Sequence, residues 1–279
     1  MRVDAHQHFW QISRGDYGWL TPDLGVLYRD YLPGDLAPHL QERQIQQTIL
    51  VQAAPTREET DFLLRLYEET PFIAGVVGWL DMESLSFPEE FARYREHPGF
   101  VGLRPMLQDL EDDRWILRPQ VMKHVELLVQ ADFPLDLLVF PRHLPYIKEL
   151  LQSFPSLRGV IDHAAKPPIA KGLLEPWKEL LADIAAHERI LCKLSGLVTE
   201  ADHQHWTVAD LAPYVQHVIE VFGADRTLYG SDWPVCLLAG SYGEVFEALQ
   251  QALPAALTEA EREAIFGGNA IRFYKLKGK

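Results

Sequence analysis

Residues 3–10 read VDAHQHFW. A short apolar run ends in two histidines two positions apart, and side chains at that spacing on a strand face one side. His6 and His8 can therefore aim at one centre. The segment after this strand decides the fold. A doubly wound open sheet usually places a glycine-rich phosphate fingerprint after its first strand, and here HQHFW stands in that place.

Seven further apolar runs succeed it: Thr48 to Gln52, Ile73 to Trp79, Phe100 to Arg104, Leu135 to Val139, Gly159 to His163, Ile190 to Leu194 and Thr227 to Gly230. Short, continuously apolar segments suit strands buried on both faces. Stretches of helical periodicity lie between them. TREETDFLLRLYEET starts with Thr56 as an N-cap and Glu59 three residues on, then repeats Phe62, Leu63, Leu66 and Tyr67 at helix spacing. RPQVMKHVELLVQAD, PWKELLADIAAHE and ADLAPYVQHVIEVFG read the same way, the last stopping at Gly223. The closing LTEAEREAIFGGNAIRFY reads as a helix, a Gly-Gly break and a short turn. Strand alternating with helix eight times predicts an α/β chain with a parallel sheet, a (β/α)8 TIM barrel spanning residues 1–279 as one domain. The connection from Phe9 to about Pro33 is long and carries Trp10, Tyr17, Trp19, Tyr28 and Tyr31. It reads as a lid or pocket wall, or as a loop packed on its own aromatics.

The chain is 47% hydrophobic and 24% charged, which fits a globular fold with a large core. Its net charge of -14 disfavours nucleic acid and anionic membranes as partners. No apolar run reaches membrane-spanning length and no secretory leader pattern opens the chain. The two cysteines, Cys192 and Cys236, lack C-x-x-C spacing and read as free thiols. The expectation is a cytoplasmic protein acting on a small molecule, with the oligomeric state left open.

In a (β/α)8 barrel the chemistry sits at the carboxyl ends of the strands. His6 and His8 end the first strand, Gln52 the second, Trp79 and Asp81 the third, and Arg104 the fourth. Asp162, His163 and Lys166 end the sixth, Lys193 and Ser195 the seventh, and Ser231, Asp232 and Trp233 the eighth. Neutral imidazole is a common zinc ligand, and a strand-end aspartate before Trp-Pro is costly unless paired or used. Three histidines and an aspartate from the first, sixth and eighth strands converge only if the barrel closes. There is no G-x-S-x-G elbow, P-loop or G-x-G-x-x-G. A second HQH, at His203 and His205, lies in a polar stretch and reads as solvated loop.

Across the chain, DAHQHFW, DHAAKP, KLSGL, GSDWPV and GGNAIRFYKL resemble the amidohydrolase superfamily, in its amidohydrolase-related branch. DYGWL, RDYLP, VVGWLD, KLSGLVTEAD and GSDWPVCLL are similar to the sugar-lactone hydrolases of that branch, which act on L-fucono- and L-rhamnono-lactones. The resemblance implies hydrolysis of a sugar-acid lactone in carbohydrate catabolism. It implies His6, His8, His163 and Asp232 as metal ligands, with Asp232 also serving as general base. The chain departs from the two-metal pattern, because Arg104 stands where a bridging carboxylate or modified lysine would be expected and no histidine lies on the fifth strand. One divalent ion, zinc by donor type, remains as the expected cofactor, in a branch whose members also work with little or no metal. With that chemistry, Asp232, His163 and Arg104 are the expected catalytic set. Trp10, Trp79 and Trp233 are expected to stack on the sugar ring, and Gln52, Lys166 and Ser195 to bond its hydroxyls. An isomerase or a metal-dependent decarboxylase could use the same frame.

Overall fold

Eight strands pair in parallel in chain order, and the computed structural model describes residues 1–277 of the chain. The strands are β1 (Val3–Gln7), β2 (Gln47–Val51), β3 (Ile73–Gly78), β4 (Phe100–Leu103), β5 (Leu135–Leu137), β6 (Gly159–Ile161), β7 (Ile190–Leu194) and β8 (Thr227–Tyr229). The last strand meets the first through the segment just beyond it. Gln7 bridges Trp233 in parallel, Asp232 N donates to His6 O at 2.8 Å, and His8 N donates to Trp233 O at 2.7 Å. Together with the ordered pairing, this makes a (β/α)8 barrel, as the periodicity predicts.

The principal helices around it are α1 (Pro33–Glu42), α2 (Arg57–Glu69), α3 (Phe87–Tyr94), α4 (Pro119–Gln130), α5 (Leu144–Ser153), α6 (Trp177–Ala185), α7 (Val208–Phe222) and α8 (Tyr242–Ala252). The strands are short because both faces are buried and each chain leaves the ladder on reaching the site. β5, β6 and β8 end two, two and one residues before the predicted limits. Val3, Ala5, Ile49, Val51, Val77, Val160 and Leu228 form an apolar interior layer. The chain end closes it from below: α9 (Glu259–Glu263) runs through a π-helical turn, Ala264–Gly268, into α10 (Asn269–Phe273). The predicted Gly-Gly break is thus a wide helical turn. Gly267 is needed there because a Cβ would sit 2.2 Å from the Met1 carbonyl oxygen. Among the described residues, no helix is long and apolar enough to cross a membrane. Cys192 and Cys236 are buried and unpaired.

The long β1–α1 connection combines both predicted behaviours. Trp10 pairs with Tyr31 through two backbone hydrogen bonds of 3.0 Å and packs at edge-on or tilted angles against Tyr17, Trp19 and Tyr31. That cluster is the loop's own core. Its outer side, Trp19, Leu24 and Leu27, walls a cavity over the barrel mouth.

Candidate active site

A bulge in β1 sets the direction of the first two site residues. From Asp4 to Gln7 the strand advances three residues while β2 advances two, from Thr48 to Leu50. The extra residue reverses side-chain parity. Val3 and Ala5 therefore join the apolar interior, and His6 and His8, not Gln7, turn toward the centre above it. Asp4 points the other way. It accepts hydrogen bonds from Ser231 N at 2.9 Å and from the Tyr242 hydroxyl on α8 at 3.0 Å.

The exit of β2 acts as a backbone template. The Val51 carbonyl accepts from His8 Nδ1 at 2.8 Å, the Gln52 carbonyl from Arg104 Nη2, and the Ala53 carbonyl from Trp19 Nε1 at 2.7 Å. The other edge of this corner is gripped by Glu59. Its carboxylate accepts from Ala53 N at 3.0 Å and from Ala54 N at 2.6 Å. Thr56 Oγ1 caps α2 by accepting from Glu59 N at 3.1 Å, so half of the expected capping box forms. The other half, the Glu59 side chain, reaches past its own helix to β2 instead. Burial pushes the Glu59 carboxyl up to about 8.

After β6 the backbone turns left-handed for four residues, His163 to Lys166, with φ between 49° and 59°. Side chains rarely adopt this conformation, and such strain concentrates at functional sites. The turn points the buried His163 ring toward β1 and leaves Lys166 at the cavity wall. Asp232 after β8 is also left-handed, at φ 58°. Between them Gly196, φ 61°, leaves room for both side chains: a Cβ would lie 2.6 Å from His163 Nδ1 and 3.1 Å from Asp232 Oδ2.

These turns and closures bring three imidazoles around one carboxylate oxygen. Asp232 Oδ1 lies 3.3 Å from His8 Nε2, 3.7 Å from His6 Nε2 and 3.9 Å from His163 Nε2. Each ring has its Nδ1 held by the scaffold. His8 Nδ1 bonds Val51 O, His163 Nδ1 bonds Ser195 Oγ at 2.9 Å, and His6 Nδ1 lies 3.4 Å from Asp162 Oδ1. This is the arrangement that orients imidazoles toward a shared cation. His6, His8 and Asp232 each offer one ligand atom within 4.8 Å of the others, and His6, Asp162 and His163 form a second, overlapping group. The donor set therefore fits a divalent ion, bound through nitrogen and oxygen.

A buried charge layer lies beneath. Lys193 Nζ donates to Asp136 Oδ2 at 2.5 Å and sits 2.9 Å from Asp162 Oδ1 and 3.2 Å from His6 Nδ1. Asp136 also accepts from the Tyr274 hydroxyl at 2.7 Å, and Asp162 Oδ2 from Arg104 Nη1 at 3.2 Å. Burial alone would raise the Asp162 carboxyl, but the charges of Lys193 and Arg104, with the His6 ring bonded beside it, hold it well below the usual carboxylate range. Asp232 behaves alike: burial works against its charge, and His163, His8 and His6 outweigh burial. Burial pushes the His163 imidazole down to about 4 and His6 well below its ordinary value. The centre thus holds ionised Asp162 and Asp232 beside neutral His6 and His163 near neutral pH.

Above the centre is a cavity of about 320 Å³. Of the residues singled out in the sequence, His8, Arg104, His163, Lys166 and Asp232 line it. His6 lies just behind them, fully buried. The others stand further back. Trp10 is in the loop core, donating Nε1 to Arg29 O. Gln52 donates its side-chain amide to Arg104 O, and Ser195 supports His163. Trp79 holds Thr60 through its backbone, and Trp233 packs on Phe9 and Tyr31. The aromatic ring at the cavity is that of Trp19. Of the second HQH, His203 reaches the cavity wall while His205 is exposed. Sequence reasoning misses Trp19 and Glu200 as site residues because each acts on a segment remote in the chain, and Glu59 because its place in a helix cap already accounts for it.

A family model described as amidohydrolase matches residues 3–276. An L-fucono-1,5-lactonase of Burkholderia ambifaria is 45% identical over 278 residues, covering 99% of this chain and 96% of that protein. An L-fucono-1,5-lactonase of Burkholderia multivorans is 39% identical, again over 99% of this chain and 96% of the relative. A crystal structure of a Burkholderia multivorans amidohydrolase with bound zinc superposes with a TM-score of 0.94 at 38% identity, covering 99% of this chain and all of that one.

Proposed function

The chain belongs to the amidohydrolase family, and from that premise we propose that it hydrolyses a sugar-acid lactone, L-fucono-1,5-lactone or a stereochemical relative, to the free aldonic acid. The observation that carries this reading is Asp232: an ionised carboxylate at the floor of a sugar-sized cavity, ringed by three imidazoles, in a chain similar end to end to two lactonases.

A lactone is a cyclic ester, so its opening needs an activated water, a stabilised oxyanion and a proton for the leaving oxygen. Asp232 takes a proton from water as the water attacks the lactone carbonyl, and returns it to the ring oxygen when the C–O bond breaks. Arg104 lines the cavity and donates toward the oxygen that gains charge. Its guanidinium is held in place by Gln52 O and Asp162, so little reorganisation accompanies the reaction. His8, His6 and His163, fixed through Nδ1, orient the water against Asp232. Trp19 offers its ring to the apolar face of the sugar. Lys166 stands at the rim among the hydroxyls.

A divalent ion, zinc by donor preference, would be held by His6, His8 and Asp232 beside His163; when bound it supplies Lewis-acid polarisation of the carbonyl and a more acidic water. A role in L-fucose catabolism goes with this reading, supported by the two L-fucono-1,5-lactonase relatives, and a reducing compartment such as the cytoplasm fits the two buried, unpaired cysteines. Acid release from freshly prepared L-fucono-1,5-lactone above the spontaneous rate is the expected result. No release from any of a panel of aldonolactones would overturn the assignment.

A further inference from the structure

Five formally charged side chains line the cavity: Arg104 and Lys166 on one side of the balance, Asp109, Glu200 and Asp232 on the other. Both cations are already spoken for. Arg104 pairs with Asp162 at 3.2 Å, and Lys166 Nζ lies 3.3 Å from Glu200 Oε1. Asp109 has no ion-pair partner among the described residues. The Lys166–Glu200 pair is built into the scaffold from both ends. Lys166 closes the left-handed run after β6, and its ammonium also lies 5.5 Å from the Phe140 ring centroid. Glu200 ends a tight turn, Val198–Glu200, which Thr199 fastens by donating Oγ1 to the Gly196 carbonyl at 2.8 Å. His203 adds a hydrogen bond to the Thr199 carbonyl at 3.0 Å.

We propose that Glu200 is a specificity-determining residue, which by neutralising Lys166 fits the cavity to uncharged lactones and speeds discharge of the carboxylate they become. The proposal rests on the lactonase reading for its substrate. Its chemistry is simple: hydrolysis turns a neutral ring into an anion beside a wall that carries the unpaired Asp109 carboxylate, on a chain of net charge -14. Without Glu200, Lys166 would be free to hold the new carboxylate, or a carboxylate already present on the substrate.

The test is calorimetric titration of L-fuconate into wild type, Glu200→Gln, Lys166→Met and the double variant at low salt. Glu200→Gln should bind L-fuconate about five-fold tighter than wild type, the size expected for a partly exposed pair, and lose that gain at high salt. Lys166→Met should bind more weakly than wild type, and the double variant no more tightly. A structural role for Glu200 alone would not produce a gain that needs Lys166. Equal affinity in wild type and Glu200→Gln, or a gain that persists in the double variant, would overturn the proposal. Hydrolysis of L-fucono-1,5-lactone by wild type is measured alongside. Its absence would sink the lactonase reading, while the titrations would still decide the charge balance at Lys166.

Discussion

His8 Nε2 and Asp232 Oδ1 face each other at 3.3 Å across 224 residues of sequence, two of the three atoms of one candidate metal-ligand group. His8 donates its one neutral-state proton from Nδ1 to the Val51 carbonyl, so Nε2 presents a lone pair to a carboxylate. A cation shared by the two atoms would complete that arrangement. The purified protein is predicted to carry one zinc equivalent per chain, and His6→Ala and His8→Ala to lose it, by elemental analysis after dialysis. Unchanged metal content in both variants would show that the ion sits elsewhere.

The acid limb of the rate should belong to His163. Its imidazole titrates at about 4, pushed down by burial, while Asp232 stays ionised at still lower pH. Protonating His163 removes a neutral ring from the centre, so kcat/KM should be flat at neutral pH and fall as pH drops through about 4. A limb near the ordinary histidine value would contradict this environment for His163.

Gly196 separates two left-handed residues that must approach each other. Replacing it with alanine puts a methyl 2.6 Å from His163 Nδ1 at a φ of 61°. Gly196→Ala should lower kcat roughly 100-fold through displacement of His163 while leaving the circular dichroism of the barrel unchanged. Full activity in this variant would mean that the His163–Asp232 geometry is not critical.

Glu59 offers a separate handle. Folded, it titrates at about 8; unfolded, at its ordinary 4.5. Between those values the folded chain keeps a proton that the unfolded chain has released, so the stability contributed by Glu59 declines as pH rises through that window. Glutamine does not titrate. The melting temperature of Glu59→Gln relative to wild type should therefore climb from pH 4.5 to 8. The same variant should lose about ten-fold in kcat, because the β2 corner that carries Val51 O, Gln52 O and Ala53 O loses half its grip. A pH-independent difference in melting temperature would refute the buried, titrating Glu59.

Much of this was legible along the chain. Eight apolar runs alternating with helical periodicity encode the barrel, because burial on both faces keeps the strands short and mostly apolar. His6, His8, Arg104, His163 and Asp232 stood out as polar residues at the ends of those runs, where a closed barrel must bring them together. The β1 bulge was not legible, since it is a mismatch between two strands and not a property of either. Nor were the roles of the tryptophans. Trp10, Trp19 and Trp233 look equivalent in sequence, and only the coil of the β1–α1 loop decides that Trp19 faces the cavity. Glu59 fitted a helix cap so well that its reach to Ala53 and Ala54 had no local sign.

The most direct measurement is acid release from L-fucono-1,5-lactone by wild type and by Asp232→Asn in a weakly buffered indicator assay. Asparagine keeps the shape of Asp232 and removes the base. Wild type should release acid far above the spontaneous rate, and Asp232→Asn should lose roughly 1,000-fold in kcat. Comparable rates in the two proteins would contradict Asp232 as the base on which the proposed lactone hydrolysis depends.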